Sequence, residues 1–278
     1  MEQSQWKSYL SKSISYIILI FFAFITLFPF YWMILTSLKD PNNYIAWPPE
    51  FWPKQLHFEN FKRVLEIAPF GTYITNTLIV VAADLFFNTI IVTLAAFGFA
   101  HYTFKGREFF FLLILATMMI PSESLIIANF RTIAQLKLID TYWAVFLPYM
   151  ASAFNIYLLR EAFRSVPRQM YLAAKIDGCS DFGYFIKILL PICRPTLITI
   201  SLLKIIGSWN AFLWPLLVTN SRSMRTISYG LVNFQTEASS NFALIMAASL
   251  YTVVPMLLLY IFARKKIIEG IAKGGVKG

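Results

Sequence analysis

Six apolar runs, each close to the length that crosses a bilayer, set the first bound on this chain: 14–35, 73–100, 109–128, 142–159, 196–218 and 242–262. A transmembrane helix needs roughly 20 apolar residues, and a backbone in lipid must satisfy its own hydrogen bonds, which leaves only helices or closed barrels. The runs lack the alternation of barrel strands. The expected fold class is therefore an all-α membrane protein with six transmembrane helices. Composition agrees, since 58% of the 278 residues are hydrophobic and only 14% are charged, too few to cover a water-facing surface. The first run is long and lacks a small-residue cleavage site, so it is expected to be a retained helix rather than a signal peptide.

A formal charge of +10 would suggest nucleic acid if it were spread evenly, but its placement points to the lipid bilayer instead. Fifteen basic residues fall in alternate segments: Lys7 and Lys12 in the N-terminal arm; Lys105 and Arg107; Arg160, Arg164, Arg168, Lys175, Lys187 and Arg194; and Arg264, Lys265, Lys266, Lys273 and Lys277 in the tail. Eight lie in the other connections, and Lys204 lies within the fifth run. By the positive-inside rule both termini face the cytoplasm. The chain then reads as a single transmembrane domain, 1–278, with a cytoplasmic loop at 161–195 and a cytoplasmic tail at 263–278. Cys179 and Cys193 share that loop, so reduced thiols are expected. Two cysteines and the distant His57 and His101 make no metal site.

Five runs contain proline: Pro29, Pro121, Pro148, Pro215 and Pro255. Each removes a backbone donor and clashes with the preceding turn, which predicts bent or broken helices. In a membrane the freed carbonyls are tolerated where protein or a water-filled path surrounds them. The connection 39–69 carries a proline cluster and then a helical-looking segment, expected to form an interfacial cap with Trp47 and Trp52 at headgroup level. No internal repeat is evident, which counts against secondary transporters.

The loop at 161–195 contains "SVPRQMYLAAKIDGCSDFGYFIKILLP". Pro167 stands at a helix entry and Gly178 is a natural left-handed stop. Ser180 can cap a second helix running through Phe182, Phe185, Ile186 and Leu189 to Pro191. A helix-turn-helix results, with Ala173 and Ala174 expected on an exposed shoulder that another protein's backbone could approach, and Lys175 and Asp177 beside it.

This segment resembles the EAA loop of ATP-binding-cassette importer permeases, in which Glu-Ala-Ala is followed by three residues, Gly, nine residues and Ile-x-Leu-Pro. Ala173, Ala174, Gly178, Ile188, Leu190 and Pro191 stand at those spacings. Leu172 replaces the family's glutamate, so docking on the ATPase is expected to rest on shape and on Arg168, Lys175 and Asp177. "FPFYWMILTSLKDP", "TNTLIV", "MMIPSESLIIANF", "DTYWAVFLPYMASAFNIYLLREAF", "GSWNAFLWPLLVTNSRSMRTISYGL" and the terminal "GIAKGGVKG" are similar to the maltose-type carbohydrate permeases. The resemblance implies a multi-pass subunit in a bacterial inner membrane that pairs with a homologous permease, two ATPase subunits and an extracytoplasmic solute-binding protein. It also implies that ATP and Mg bind in the ATPases, with no cofactor in this chain. The absence of a G-x-x-x-x-G-K-[ST] phosphate loop agrees, and no catalytic residue is expected. The tail residues Lys273, Gly274, Gly275 and Lys277 resemble a segment that inserts between the ATPases; its glycine-rich composition predicts disorder without partners.

Trp209, Asn210, Phe212 and Trp214 combine aromatic faces with an amide, a chemistry suited to a sugar pathway. Asn210 should face protein or the path. The polar connection 219–241, with Arg222 and Arg225, resembles the loop that contacts the binding protein; its arginines would also suit a phosphate-bearing or acidic sugar. Asp84 and Glu123 are intramembrane carboxylates, functional candidates by default; Asp84 is expected to pair with a partner subunit and Glu123 to lie near a helix bend. Lys204 needs a carboxylate or carbonyl partner. The alternatives are a glycerol-phosphate or polyol-phosphate importer of the same family and an ion-coupled secondary carrier. A membrane enzyme finds no paired carboxylates, triad or metal cluster to support it.

Overall fold

The computed structural model describes residues 2–41, 50–238 and 241–275, with the side chains of the helices described from Lys12 to Phe262 and at Arg264. The elements are helical: α1 (Glu2–Ser37), α2 (Glu59–Ile67), α3 (Phe70–His101), α4 (Arg107–Thr117), α5 (Ile126–Gln135), α6 (Tyr142–Phe146), α7 (Ala153–Arg164), α8 (Arg168–Ile176), α9 (Asp181–Tyr184), α10 (Leu190–Ile192), α11 (Arg194–Asn210), α12 (Leu213–Val218), α13 (Ile227–Glu237) and α14 (Phe242–Gly275). Three continuous stretches, Lys12–Ser37, Phe70–His101 and Phe242–Phe262, are long and apolar enough to cross a bilayer, and three bent helix pairs bring the possible total to six.

The other runs are broken where their prolines stand. α4 ends at Thr117, and Pro121 turns the chain 90° before a 3₁₀ turn at Ser122–Leu125 leads into α5. The Tyr142–Tyr149 segment meets α7 at 49°. Residue 215 has no N–H for the Ala211 carbonyl, and α11 and α12 part at Ala211 and Phe212. The runs 109–128, 142–159 and 196–218 are thus broken spans rather than single helices.

The chain divides into two compact units. The first comprises Met1–Phe70 and Leu231–Val254. There Phe70 packs edge-on against Phe234 and stacks on Tyr251, while the buried Asn60 amide donates to the Ser37 and Lys39 carbonyls, both at 2.9 Å. Lys39 lies over the Trp32 ring at 4.6 Å. α2 supplies the helix expected after the proline cluster; Trp52 is exposed, and Trp47 lies outside the described residues. The apolar surface of α1 between Ile14 and Phe30 is exposed along its length, the all-round pattern of a helix solvated by lipid or by another membrane chain.

The second unit comprises Gly71–Gly230 and Pro255–Gly278 and has two cores. One joins Val92, Phe97, Phe111, Leu159, Phe163, Phe185 and Leu189 beneath the helix-turn-helix; the other joins Val80, Ile133, Val145, Phe146, Trp214 and Val218. Arg160 is 3% exposed, forks onto Glu108 at 2.7 and 2.8 Å and lies 3.8 Å over the Phe111 ring. After α12 the connection is folded: a 3₁₀ turn at Arg222–Met224 leads into α13, and Ile227 at its start is fully buried. α14 runs through Lys273 to Gly275, so the expected tail disorder does not hold that far; Lys277 lies outside the described residues.

Candidate functional site: a cavity where broken helices meet

Within the second unit, three helix breaks converge on one cavity of about 480 Å³. Ser122, Glu123 and Ile126 come from the first break, Tyr149 from the second, and Ala211, Phe212, Trp214 and Pro215 from the third. Val80 and Asp84 on α3, Val145 on α6, Leu203, Lys204, Gly207 and Ser208 on α11 and Leu213 on α12 complete the wall. Asp84 sits near the middle of α3, about 20 Å from its start on a helix that is about 48 Å long at 1.5 Å per residue. Discontinuous backbone at such depth needs either protein partners or a hydrated cavity.

The partners are in place. Pro148 has no N–H for the Ala144 carbonyl, and that carbonyl accepts from the Trp214 indole at 2.9 Å. Where the Tyr142–Tyr149 segment ends, the Tyr149 carbonyl accepts from Lys204 Nζ at 2.6 Å and the Met150 carbonyl from the Asn88 amide at 3.1 Å. Lys204 is thus a cationic cap on a broken helix, as helix C-termini favour. The same nitrogen pairs with Asp84 Oδ1 at 3.0 Å. Asp84 therefore finds its counter-charge inside this chain rather than on a partner subunit. Asn155 donates to Asn88 Oδ1 at 3.1 Å, extending the network to α7, whose first turn Ser152 caps.

Of the four aromatic and amide residues expected on a pathway, Phe212 and Trp214 line the cavity. Trp209 is buried away from it, and the exposed Asn210 bonds back to the Ile206 carbonyl of its own helix at 2.9 Å. Sequence reasoning missed Asn88 and Asn155, although Asn76, Val80, Asp84 and Asn88 recur every fourth residue, which places them on one face of α3. Glu123 lies at the bend, as expected, and accepts from the Ser122 hydroxyl at 3.0 Å.

At the opposite end of this unit the helix-turn-helix forms as its sequence dictates. α8 closes with two bonds, Cys179 N to the Ala174 carbonyl (2.9 Å) and Gly178 N to the Lys175 carbonyl (3.0 Å), and Gly178 takes φ +75°; these are the bonds of a Schellman cap. Ser180 caps α9 by accepting from Gly183 N. A π-helical turn at Phe185–Leu189 precedes Pro191, whose missing donor it accommodates. Ala173 is exposed, but Ala174 is 5% exposed and packs into the core, so only one of the two alanines forms the shoulder. Beside it Leu172 and Ile176 are 49% and 87% exposed. Lys175 is engaged within the turn: its ammonium meets Asp181 at 2.6 Å, and that hydrogen bond raises its pKa above the ordinary lysine value. Tyr171 donates to the same carboxylate at 2.9 Å. Arg168 opens α8, Asp177 follows it exposed, Ile188 and Leu190 are half-buried against the core, and Pro191 is exposed.

Between α5 and α6, Asp140 adopts φ +62° and its carboxylate accepts from the backbone N–H groups of Asn220 (2.8 Å) and Ser221 (3.0 Å). Burial opposes ionisation there, yet the Ser221 and Asn220 donors hold the carboxyl below its ordinary range. In the connection after α12, Arg225 turns its guanidinium over the Tyr229 ring at 5.0 Å, while Arg222 remains exposed. Both cysteines are free thiols, and no cluster able to hold a metal occurs among the described residues.

Residues 93–267 match the family described as "binding-protein-dependent transport system inner membrane component". The arabinooligosaccharides transport system permease protein AraQ of Halalkalibacterium halodurans is 36% identical over 265 residues, covering 93% of this chain and 94% of that protein. The diacetylchitobiose uptake system permease protein DasC of Streptomyces coelicolor is 31% identical over 253 residues, 90% of this chain and 92% of that protein. Among solved structures, a chain of a bacterial ABC transporter involved in the import of the acidic polysaccharide alginate superposes with a TM-score of 0.81, covering 91% of this chain and 94% of that chain at 23% identity.

Proposed function

The chain belongs to the family of binding-protein-dependent transport system inner membrane components and is a permease subunit of a carbohydrate ATP-binding-cassette importer in the bacterial inner membrane; from that premise we propose that the cavity between its broken helices is part of the sugar's path. The convergence on one cavity at mid-span of the breaks at Pro121, after Tyr149 and at Ala211–Phe212 carries this reading. Tyr149, Phe212 and Trp214 offer ring surface to the apolar faces of a sugar, and Glu123, Ser122 and Ser208 offer acceptors and donors to its hydroxyls. In this reading α4 with α5, the Tyr142–Tyr149 segment with α7, and α11 with α12 each form one broken span, giving six with α1, α3 and α14, and both termini and the 161–195 loop lie in the cytoplasm, as the basic residues favour.

The family's usual partners are a solute-binding protein and ATPase subunits. We assign the ATPase contact to the face of α8 carrying Ala173, with Leu172 and Ile176 supplying apolar contact where relatives place a glutamate. Lys175 is held by Asp181 and leaves Arg168 and Asp177 as the charges free to meet the ATPase. A homologous permease completes the path, and 219–241, with Arg222, faces the binding protein. AraQ and DasC are named for arabino-oligosaccharides and diacetylchitobiose, whereas the superposing transporter imports an acidic polysaccharide; family membership therefore leaves the charge of the cargo open.

The test is uptake by proteoliposomes holding the complex purified with its partner subunits, with ATP sealed inside or omitted and a sugar-loaded binding protein outside. ATP-dependent accumulation is the expected outcome. Accumulation that follows an ion gradient and ignores ATP would sink the importer reading.

A further inference from the structure

Resting on the pathway reading above, we infer that the cavity is a charge filter: it favours neutral and amino-bearing sugars and rejects those carrying carboxylate, sulfate or phosphate. The wall holds two carboxylates, Asp84 and Glu123, against one ammonium, Lys204, and no arginine among the described residues. That ammonium is already spent, with Asp84 at 3.0 Å and the Tyr149 carbonyl at 2.6 Å. Turning it toward a ligand anion would leave Asp84, which is 3% exposed, as an unpaired charge at mid-span, an arrangement that low-dielectric surroundings penalise. Glu123 differs. It is exposed, and its carboxylate takes one hydrogen bond, from Ser122, with no basic partner among the described residues.

The fixed charge that this chain's share of the wall presents to a passing sugar is therefore one carboxylate in excess. Carboxylates are acceptors only, so Glu123 suits sugar hydroxyls and pairs with a sugar ammonium, while a uronate or phosphate meets repulsion strengthened by the surrounding apolar wall. The arginine forks that recognise planar carboxylates and phosphates are missing from the wall. Arg222 and Arg225, the candidates for an acidic sugar, lie outside the lining, and Arg225 is committed to Tyr229. The phosphate-importer alternative finds no free anion-binding group in this chain's share of the wall. Specificity here is a difference in affinity built largely from a repulsive element.

The complex in lipid nanodiscs would be titrated with three trisaccharides by calorimetry: neutral arabinotriose, chitosan trisaccharide at a pH that keeps its amines protonated, and trigalacturonate. The filter predicts that trigalacturonate binds weakest, by about ten-fold or more. Glu123→Gln should shrink the gap and Glu123→Lys should reverse the order of chitosan trisaccharide and trigalacturonate, with gel filtration and melting confirming folded variants. An order that ignores charge, or that survives Glu123→Lys, overturns the filter but leaves the pathway reading intact. Binding of none of the three would overturn the pathway reading and the filter together.

Discussion

Lys204 shows how much one buried side chain decides. Its nitrogen neutralises Asp84 and caps the helix that ends at Tyr149. Removing Asp84 alone leaves the cation uncompensated, so Asp84→Leu should destabilise the purified complex by about 3–5 kcal/mol, whereas Asp84→Leu with Lys204→Met should cost clearly less; thermal unfolding across this mutant cycle measures the difference. Asp140 makes a pH-dependent contribution. Its folded pKa is depressed, so the clamp on Asn220 and Ser221 is fully present above the unfolded value of about 3.9 and is lost as pH falls through the lower folded value. Asp140→Ala should abolish that acid-dependent portion of the melting curve and leave the neutral-to-alkaline profile parallel to the native one. The sequence announced Asp84, Glu123 and Lys204 as charges in apolar runs, but not the pairing of Asp84 with Lys204, because partners on separate helices leave no periodic trace. Asp140 and Asn88 went unseen for the same reason.

Among the elements, the helix-turn-helix was the most legible, since Pro167, Gly178 and Ser180 act through local backbone chemistry that does not wait for the tertiary fold. Gly178 has open space around its missing Cβ, so a substitution there costs backbone strain rather than a clash. Gly178→Ala should lower stability by about 1–2 kcal/mol through the left-handed conformation alone, and Gly178→Asn should recover part of it; hydrogen exchange in α8 and α9 reports the loosening. Ala174 was misplaced on the surface because the adjacent alanines look alike in sequence, while the core beneath α8 takes only one. The broken spans were half legible: Pro121, Pro148 and Pro215 marked where helices must yield, but the 90° turn at Pro121 depends on how α5 packs afterward. The Trp214 bond to the Ala144 carbonyl, which fastens α12 to α6, joins residues far apart in the chain and could not be read from either.

For the molecule as a whole, hydropathy was sufficient to establish membrane helices, and the charge distribution to suggest an orientation, because both are sums over many residues. The cavity was not legible, since it exists only where three breaks meet. Gly207 stands on its wall, and apart from its chain neighbours and its own helix backbone no atom lies within 4 Å of the point a Cβ would occupy there, so a side chain can start from this position into open space. Gly207→Trp is the most direct test of the claim that sugar crosses through this cavity. In proteoliposomes holding the complete complex and luminal ATP, the account predicts that uptake of the sugar delivered by the binding protein falls at least about ten-fold, equivalent to about 1.4 kcal/mol of added barrier, while the variant complex assembles and melts as the native one does. Uptake at the native rate through a correctly assembled Gly207→Trp complex would contradict it.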